Sequence, residues 1–405
     1  MQFLTWTFQS YLMLWGVYVE YAKSTEYVVN WTMPQCVICL KMIMIAYDVF
    51  DGRKGNAEKL KEDRLEEVIL EDTSKKVENF GFPNPLEFLS YSTFYITVLV
   101  GPQMSLYHYR KFIDTTDIKK CKSVDDFRSE TRKIAGAKFL TAAFLMWFIN
   151  FQCPYYLDVS KFDNENGIFF TEFGFLEKVI FITFFGNLKF LNYISTWMLV
   201  EGSLILSGVG TSFEKLNRHD RDKKLHHYHC TNAHFFNFLK ATTMYEYVMY
   251  FNMNTNKWAF TYLFKRLAFL GNRDLSQLIT LMYLALWHGN FPGYFTCFFY
   301  EFIILLAEGK MIKAGLYVKG WQPDVADKNQ TQSNKIVHFL RAILQKFLHV
   351  GILTGYCMID FCLLNIPKFL RVWKATYFYG QVFVVGQFLI ASVVISLSRG
   401  KRKRE

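Results

Sequence analysis

Residues 275–300 read LSQLITLMYLALWHGNFPGYFTCFFY, a run of 26 residues without Asp, Glu, Lys or Arg. A helix of that length crosses the roughly 30 Å hydrocarbon core of a bilayer, so the run predicts a membrane-spanning helix. Comparable apolar runs fill residues 1–19, 31–47, 88–107, 139–157, 179–213, 347–369 and 375–398. So many runs, carrying many of the 42 Phe, argue against several soluble domains. They favour one all-α, polytopic membrane bundle over residues 1–398, followed by a basic tail, RGKRKRE, at 399–405. Inside the 275–300 run lies one titratable side chain, His288, within Trp287-His288-Gly289. An ionisable group at membrane depth is by default functional, and imidazole is the usual proton-transfer group near neutral pH. A histidine satisfied by a neighbouring helix is the plainer alternative.

Upstream, Phe251-Asn252-Met253-Asn254-Thr255-Asn256-Lys257-Trp258 alternates asparagines between aromatic flanks. Asparagine favours caps and turns, so this is a loop or helix start, or a polar group aimed into a cavity. Asn252 stands 36 residues before His288, so the two meet only through tertiary packing.

FNMNTNKWAFTYLFKRLAFLGNRDLSQ followed by LALWHGNFPGY resembles the membrane-bound O-acyltransferases, and among them the branch that acylates lysophospholipids. The resemblance also takes in Trp31-Thr32-Met33-Pro34, Phe50-Asp51-Gly52, Val100-Gly101-Pro102-Gln103 and Glu201-Gly202. It implies that His288 is the catalytic histidine and Asn252 the catalytic asparagine. It also implies a central tunnel, acyl-CoA as cosubstrate with no permanently bound cofactor, and a lysophospholipid acceptor carrying choline, serine or ethanolamine. The preferred acyl chain by the same analogy is polyunsaturated. The family pattern has further spans before residue 1, so a reduced or inactive enzyme is one expectation.

The residues make physical sense of acyl transfer. A lipid alcohol is a weak nucleophile, and a general base removing its proton contributes about 10² to 10⁴ in rate. His288 supplies that base. Asn252 either donates its amide to the developing oxyanion or orients the imidazole. Cys297 lies nine residues past His288, roughly 13 Å along a helix, too far to be the nucleophile. A transporter or channel is the non-enzymatic alternative, but no internal repeat accompanies it. Acylation of a protein or a neutral lipid is the alternative within the family.

Other polar groups carry weaker expectations. Gln103, beside the helix-breaking Gly101-Pro102, either lines a tunnel or opens a loop. Glu201 reads as a polar contact inside the bundle, supplied by a neighbouring helix, with substrate binding second. Lys265-Arg266 either bind cosubstrate phosphate or anchor a helix end at the headgroups. Trp287 borders His288. The mixed-charge string EKLKEDRLEEVILED reads as a solvated surface helix. The cluster His226, His227, His229, Cys230, His234 matches no standard zinc spacing, so no metal is expected. Cys36 and Cys39 read as packing. The net charge of +11 sits mostly in loops between spans, as cytoplasmic loops require, and no nucleic-acid motif accompanies it. Lys401 and Lys403 in the tail resemble a retrieval signal of the endoplasmic reticulum membrane.

Overall fold

The structure, a computed structural model, describes residues 32–70, 81–98, 101, 104–114, 124–209, 231–320 and 332–402. Among them every element is a helix. The longer ones, with two short ones that matter to the site, are α1 (Thr32–Asp51), α2 (Val124–Trp147), α3 (Phe175–Leu206), α4 (Met244–Met249), α5 (Met253–Tyr262) and α6 (Arg273–His288). They continue with α7 (Pro292–Lys313), α8 (Gln332–Gln345), α9 (Ile352–Leu363), α10 (Ile366–Ala375) and α11 (Tyr379–Arg402).

Four described segments are long and apolar enough to cross a membrane: Phe127–Gln152, Phe175–Leu206, Lys335–Leu363 and Tyr379–Ser398. Leu140, Phe151, Phe347 and Leu389 on them are exposed, an apolar surface that suits lipid. The first and third begin earlier than expected, because polar residues extend the helix past the apolar run. The second runs through Gly202 and ends at Leu206, before Gly208 at φ +80°. A π-turn, Lys346–Gly351, joins α8 to α9.

The helix expected over residues 275–300 is two helices. Asn272 caps α6 by accepting the Leu275 N–H at 3.1 Å, and α6 ends at His288. Gly289 follows at φ +140°, backbone that side-chain-bearing residues rarely adopt. Phe291 is extended, as a residue before proline is driven to be, and Pro292 opens α7 without needing a donor. His288 therefore lies at a helix end, not in the middle of a span. The 88–107 run is likewise broken, into Pro85–Ser92, Tyr95–Val98 and the start of Leu106–Ile113.

The chain divides into two compact units. One is bounded as Met1–Phe144, Ser195–Asn232 and Met253–Phe269. Its core joins Ile45, Ile69, Tyr91, Phe94, Leu106, Tyr109 and Leu204. Lys41, inside the apolar α1, is fully buried and donates to the Tyr91 carbonyl at 3.1 Å and the Thr97 hydroxyl at 2.9 Å. The mixed-charge string is solvated in part: Glu58, Lys59 and Lys61 are exposed. Arg64 of Glu62–Glu67 turns inward onto Asp48 at 2.6 Å and Asp51 at 2.8 Å.

The other unit is bounded as Leu145–Ile194, Ala233–Asn252 and Leu270–Glu405. Phe162, Phe181, Phe185, Met358, Ile359 and Phe369 form one core there; Met244, Ile304, Leu353 and Tyr356 form another. Gly186 and Gly355 bring α3 and α9 into backbone contact: a Cβ on Gly186 would lie 2.4 Å from the Gly355 Cα. Small residues at such crossings are what membrane helices use to pack closely.

Candidate active site

His288 and Asn252 both belong to the second unit. His288 is half-buried and ringed by aromatic side chains. Trp287 lies 4.7 Å away between ring centroids, Phe361 at 5.1 Å edge-on, Phe298 stacked at 5.5 Å and Tyr294 at 5.6 Å. Among the described residues no hydrogen bond reaches either ring nitrogen. Packing alone orients the imidazole, and both nitrogens keep their hydrogen-bonding capacity for a bound molecule.

The turn that carries His288 is pinned from below. The Gly293 N–H donates to the Leu364 carbonyl at 2.8 Å. Phe361, which meets His288, precedes that contact by one helical turn. Next to it, Asp360 is buried and accepts the Trp373 indole N–H at 2.9 Å.

Asn252 follows α4 and precedes α5, with its backbone at φ +50°. Asparagine tolerates this left-handed conformation better than most residues. Its neighbour Phe251 packs on Phe190 at 4.8 Å and on Phe238 at 5.9 Å. The asparagine run thus begins in the connection between two helices, at Asn252, and continues into the first turn of α5 with Asn254 and Asn256. Asn254 donates its side-chain amide to the Thr231 carbonyl at 3.0 Å.

The remaining candidates separate. Trp287 stays with His288. Glu201, buried, accepts the Asn232 N–H at 2.7 Å and a bond from Lys138 of α2, which occupies it structurally. Arg266 gives its guanidinium to Asp51 and lies 4.5 Å over the Tyr47 ring. Its fork is therefore already engaged by a carboxylate. Lys265 is exposed, with Nζ 4.9 Å over Phe260. Gln103 lies outside the described residues, as do His226, His227, His229 and Cys230. His234 is described, and its N–H donates to the Tyr250 carbonyl at 3.1 Å. Among the described residues no cluster of His, Cys, Asp and Glu suits a metal ion.

One buried pair was not singled out from the sequence: Glu308 lies inside α7 and is buried. His349, in the π-turn, faces it at 3.0 Å. The signal was present as a carboxylate and a histidine 41 positions apart, but nothing in that spacing joined them.

The chain matches the model of the family described as MBOAT, membrane-bound O-acyltransferase, over residues 17–315. It is similar to lysophospholipid acyltransferase 5 of Mus musculus, 31% identical over 393 residues, which are 95% of this chain and 72% of that protein. The Drosophila melanogaster protein of the same name is 30% identical over 379 residues, 93% of this chain and 68% of that protein. The lysophospholipid acyltransferase of Saccharomyces cerevisiae is 24% identical over 416 residues, 95% of this chain and 61% of that protein. With the family model covering well over half its length, the chain belongs to the membrane-bound O-acyltransferase family.

Proposed function

We propose that this multi-pass membrane protein transfers a fatty acyl group from acyl-CoA to the sn-2 hydroxyl of a lysophospholipid. The acceptors are lysophosphatidylcholine, lysophosphatidylserine and lysophosphatidylethanolamine, and polyunsaturated acyl chains are preferred. The relatives' names supply the reaction class, and the observation that carries the mechanism is the unbonded imidazole of His288 in its aromatic setting.

In this reading His288 takes the proton of the lysophospholipid hydroxyl as its oxygen attacks the thioester carbon. The carbonyl electrons move onto oxygen. When the carbon–sulfur bond breaks, the imidazolium returns its proton to the departing CoA thiolate, and no acyl-enzyme forms. The imidazole is oriented by Trp287, Tyr294, Phe298 and Phe361. That favours the oxyanion role for Asn252 over an orienting one. An amide donor there is worth about 3 kcal/mol of barrier.

A tunnel between helices brings the lipid from the bilayer and CoA from the cytosol in this reading, and exposed Lys265 is a candidate contact for CoA phosphate. Arg266 and Glu201 are left to structural ion pairs. Residues 399–405 face the cytosol, and the enzyme resides in the endoplasmic reticulum membrane.

The test is product formation by the parent chain in membranes of low background. Labelled arachidonoyl-CoA is offered with each of the three lysophospholipids, with diacylglycerol, with cholesterol and with an acceptor peptide. Diacyl phospholipid from at least one lysophospholipid is expected. Ester formed solely on diacylglycerol, cholesterol or peptide would replace this reading with the other acceptor classes.

A further inference from the structure

We propose that Glu308 is a positioning residue for Asn252, acting with His349 and Gln387 through the short helix α4. This deepens the function proposed above and rests on it.

Helix α4 has only six residues, too few to hold its shape unaided. Its first turn is fixed from outside. Thr243 caps it, accepting the Glu246 N–H at 3.1 Å. Glu308 accepts the next two free donors: the Met244 N–H at 2.5 Å on Oε2 and the Tyr245 N–H at 3.1 Å on Oε1. Glu308 is 2% exposed, so its carboxylate is committed to these partners.

The carboxylate is itself clamped. His349 Nε2 lies 3.0 Å from Glu308 Oε2, and the Gln387 amide donates to His349 Nδ1 at 3.0 Å and to the Tyr317 hydroxyl at 2.8 Å. With Nδ1 accepting, the imidazole proton sits on Nε2 and is directed at Glu308. The π-turn brings His349 there, and the Asn187 amide donates to its last carbonyl, on Gly351, at 3.0 Å. Two further donors grip the strand of chain entering α4. Gln345 Nε2 donates to the Thr242 carbonyl at 2.8 Å and Lys346 Nζ to the Ala241 carbonyl at 3.0 Å.

Asn252 stands seven residues beyond Tyr245, at the other end of this locked helix. Its predecessor Phe251 is wedged between Phe190 and Phe238. Helix α7 carries Glu308 and also opens four residues after His288. The same rigid rod therefore adjoins the base at its first turn and, four to five turns later, holds the helix that leads to Asn252. Buried carboxylates that serve stability alone are costly and replaceable. Fixing the backbone that leads to a reacting amide is a role that does not reduce to stability.

The experiment compares the parent with Glu308→Ala and Glu308→Gln in nanodiscs. It measures kcat, both KM values and amide exchange over residues 244–252 and 286–294. In Glu308→Ala, kcat should fall by about 30-fold or more while both KM values move by less than about threefold. Exchange over 244–252 should rise by about tenfold or more, with 286–294 unchanged. Glu308→Gln can keep an oxygen acceptor for the Met244 N–H and for His349 and loses the acceptor for the Tyr245 N–H, so kcat should lie at least about fivefold above that of Glu308→Ala. On an Asn252→Gly background, Glu308→Ala should cost no more than about twofold further. An equal loss on both backgrounds, or unchanged exchange over 244–252, overturns the proposal. If Glu308→Ala does not yield folded protein, His349→Gln replaces it, and unchanged exchange over 244–252 overturns the proposal there too. A parent inactive on every lysophospholipid would instead contradict the acyltransferase reading, and the exchange data would still decide whether Glu308 fixes α4.

Discussion

Gly293 donates its N–H to the Leu364 carbonyl at 2.8 Å, so the first turn of α7 rests directly on the backbone at the end of α9. A Cβ on Gly293 would lie 2.1 Å from the Asp360 carbonyl oxygen, closer than atoms can approach. Gly293→Ala must therefore separate α7 from α9 and displace the turn that holds His288. It should lower stability by more than about 2 kcal/mol and abolish measurable turnover. Thermal unfolding in detergent, monitored by size-exclusion recovery, checks the first, and product formation checks the second. A variant with parent stability and rate would show that this contact is not needed.

Asn252 allows backbone strain and chemistry to be separated. Alanine at φ +50° adds about 1–2 kcal/mol of strain, whereas glycine adds none. Both remove the amide. Asn252→Gly should lose about 10² to 10³ in kcat. Asn252→Ala should lose as much activity and be less stable. Full activity in Asn252→Gly would remove Asn252 from the reaction.

Asp51 makes a pH prediction. Burial alone would raise its pKa, but hydrogen bonds from the Arg266 and Arg64 guanidinium groups outweigh this and hold it below the usual carboxylate range. A carboxyl depressed in the folded state stabilises the fold above its unfolded pKa, near 3.9, and loses that contribution as pH falls through the folded value. Asp51→Asn should therefore lower the melting temperature at pH 7, with the gap to the parent narrowing below about pH 4. A gap unchanged down to pH 3 would mean that the ionised form does not contribute.

The Arg64 network offers a separate check. Removing one partner of a buried ion pair leaves the other charge uncompensated, at a cost of about 3–5 kcal/mol. Arg64 faces Asp48 and Asp51 together, so Arg64→Met should destabilise the protein in this range while leaving KM for acyl-CoA unchanged. Thermal unfolding and steady-state kinetics on one preparation read both. A rise in KM with normal stability would instead make Arg64 a cosubstrate contact.

What could be read from the sequence was what composition and local rules determine. Long apolar runs gave the helical membrane class, and the Trp287-His288-Gly289 string singled out His288. The break after His288 was also written there, since Gly289 and Pro292 each interrupt a helix, but the absence of charge over residues 275–300 outweighed them. Pairings between distant residues were not legible. Arg64 looked solvated because its partners Asp48 and Asp51 lie 13 to 16 positions away on another helix. Arg266 looked available for phosphate because Asp51 is 215 positions distant. Glu308 and His349 stand 41 positions apart, and only folding brings them together.

The most direct measurement is acyl transfer to lysophosphatidylcholine by the parent and by His288→Gln, at matched levels of correctly inserted protein. Glutamine fills much of the imidazole's volume and cannot serve as a base. Robust product is expected from the parent and a rate lower by about 10² or more from the variant, with folding intact by size-exclusion recovery. A His288→Gln enzyme within a few-fold of the parent would contradict the role of His288 as base, because the proton would then be leaving the hydroxyl by another route.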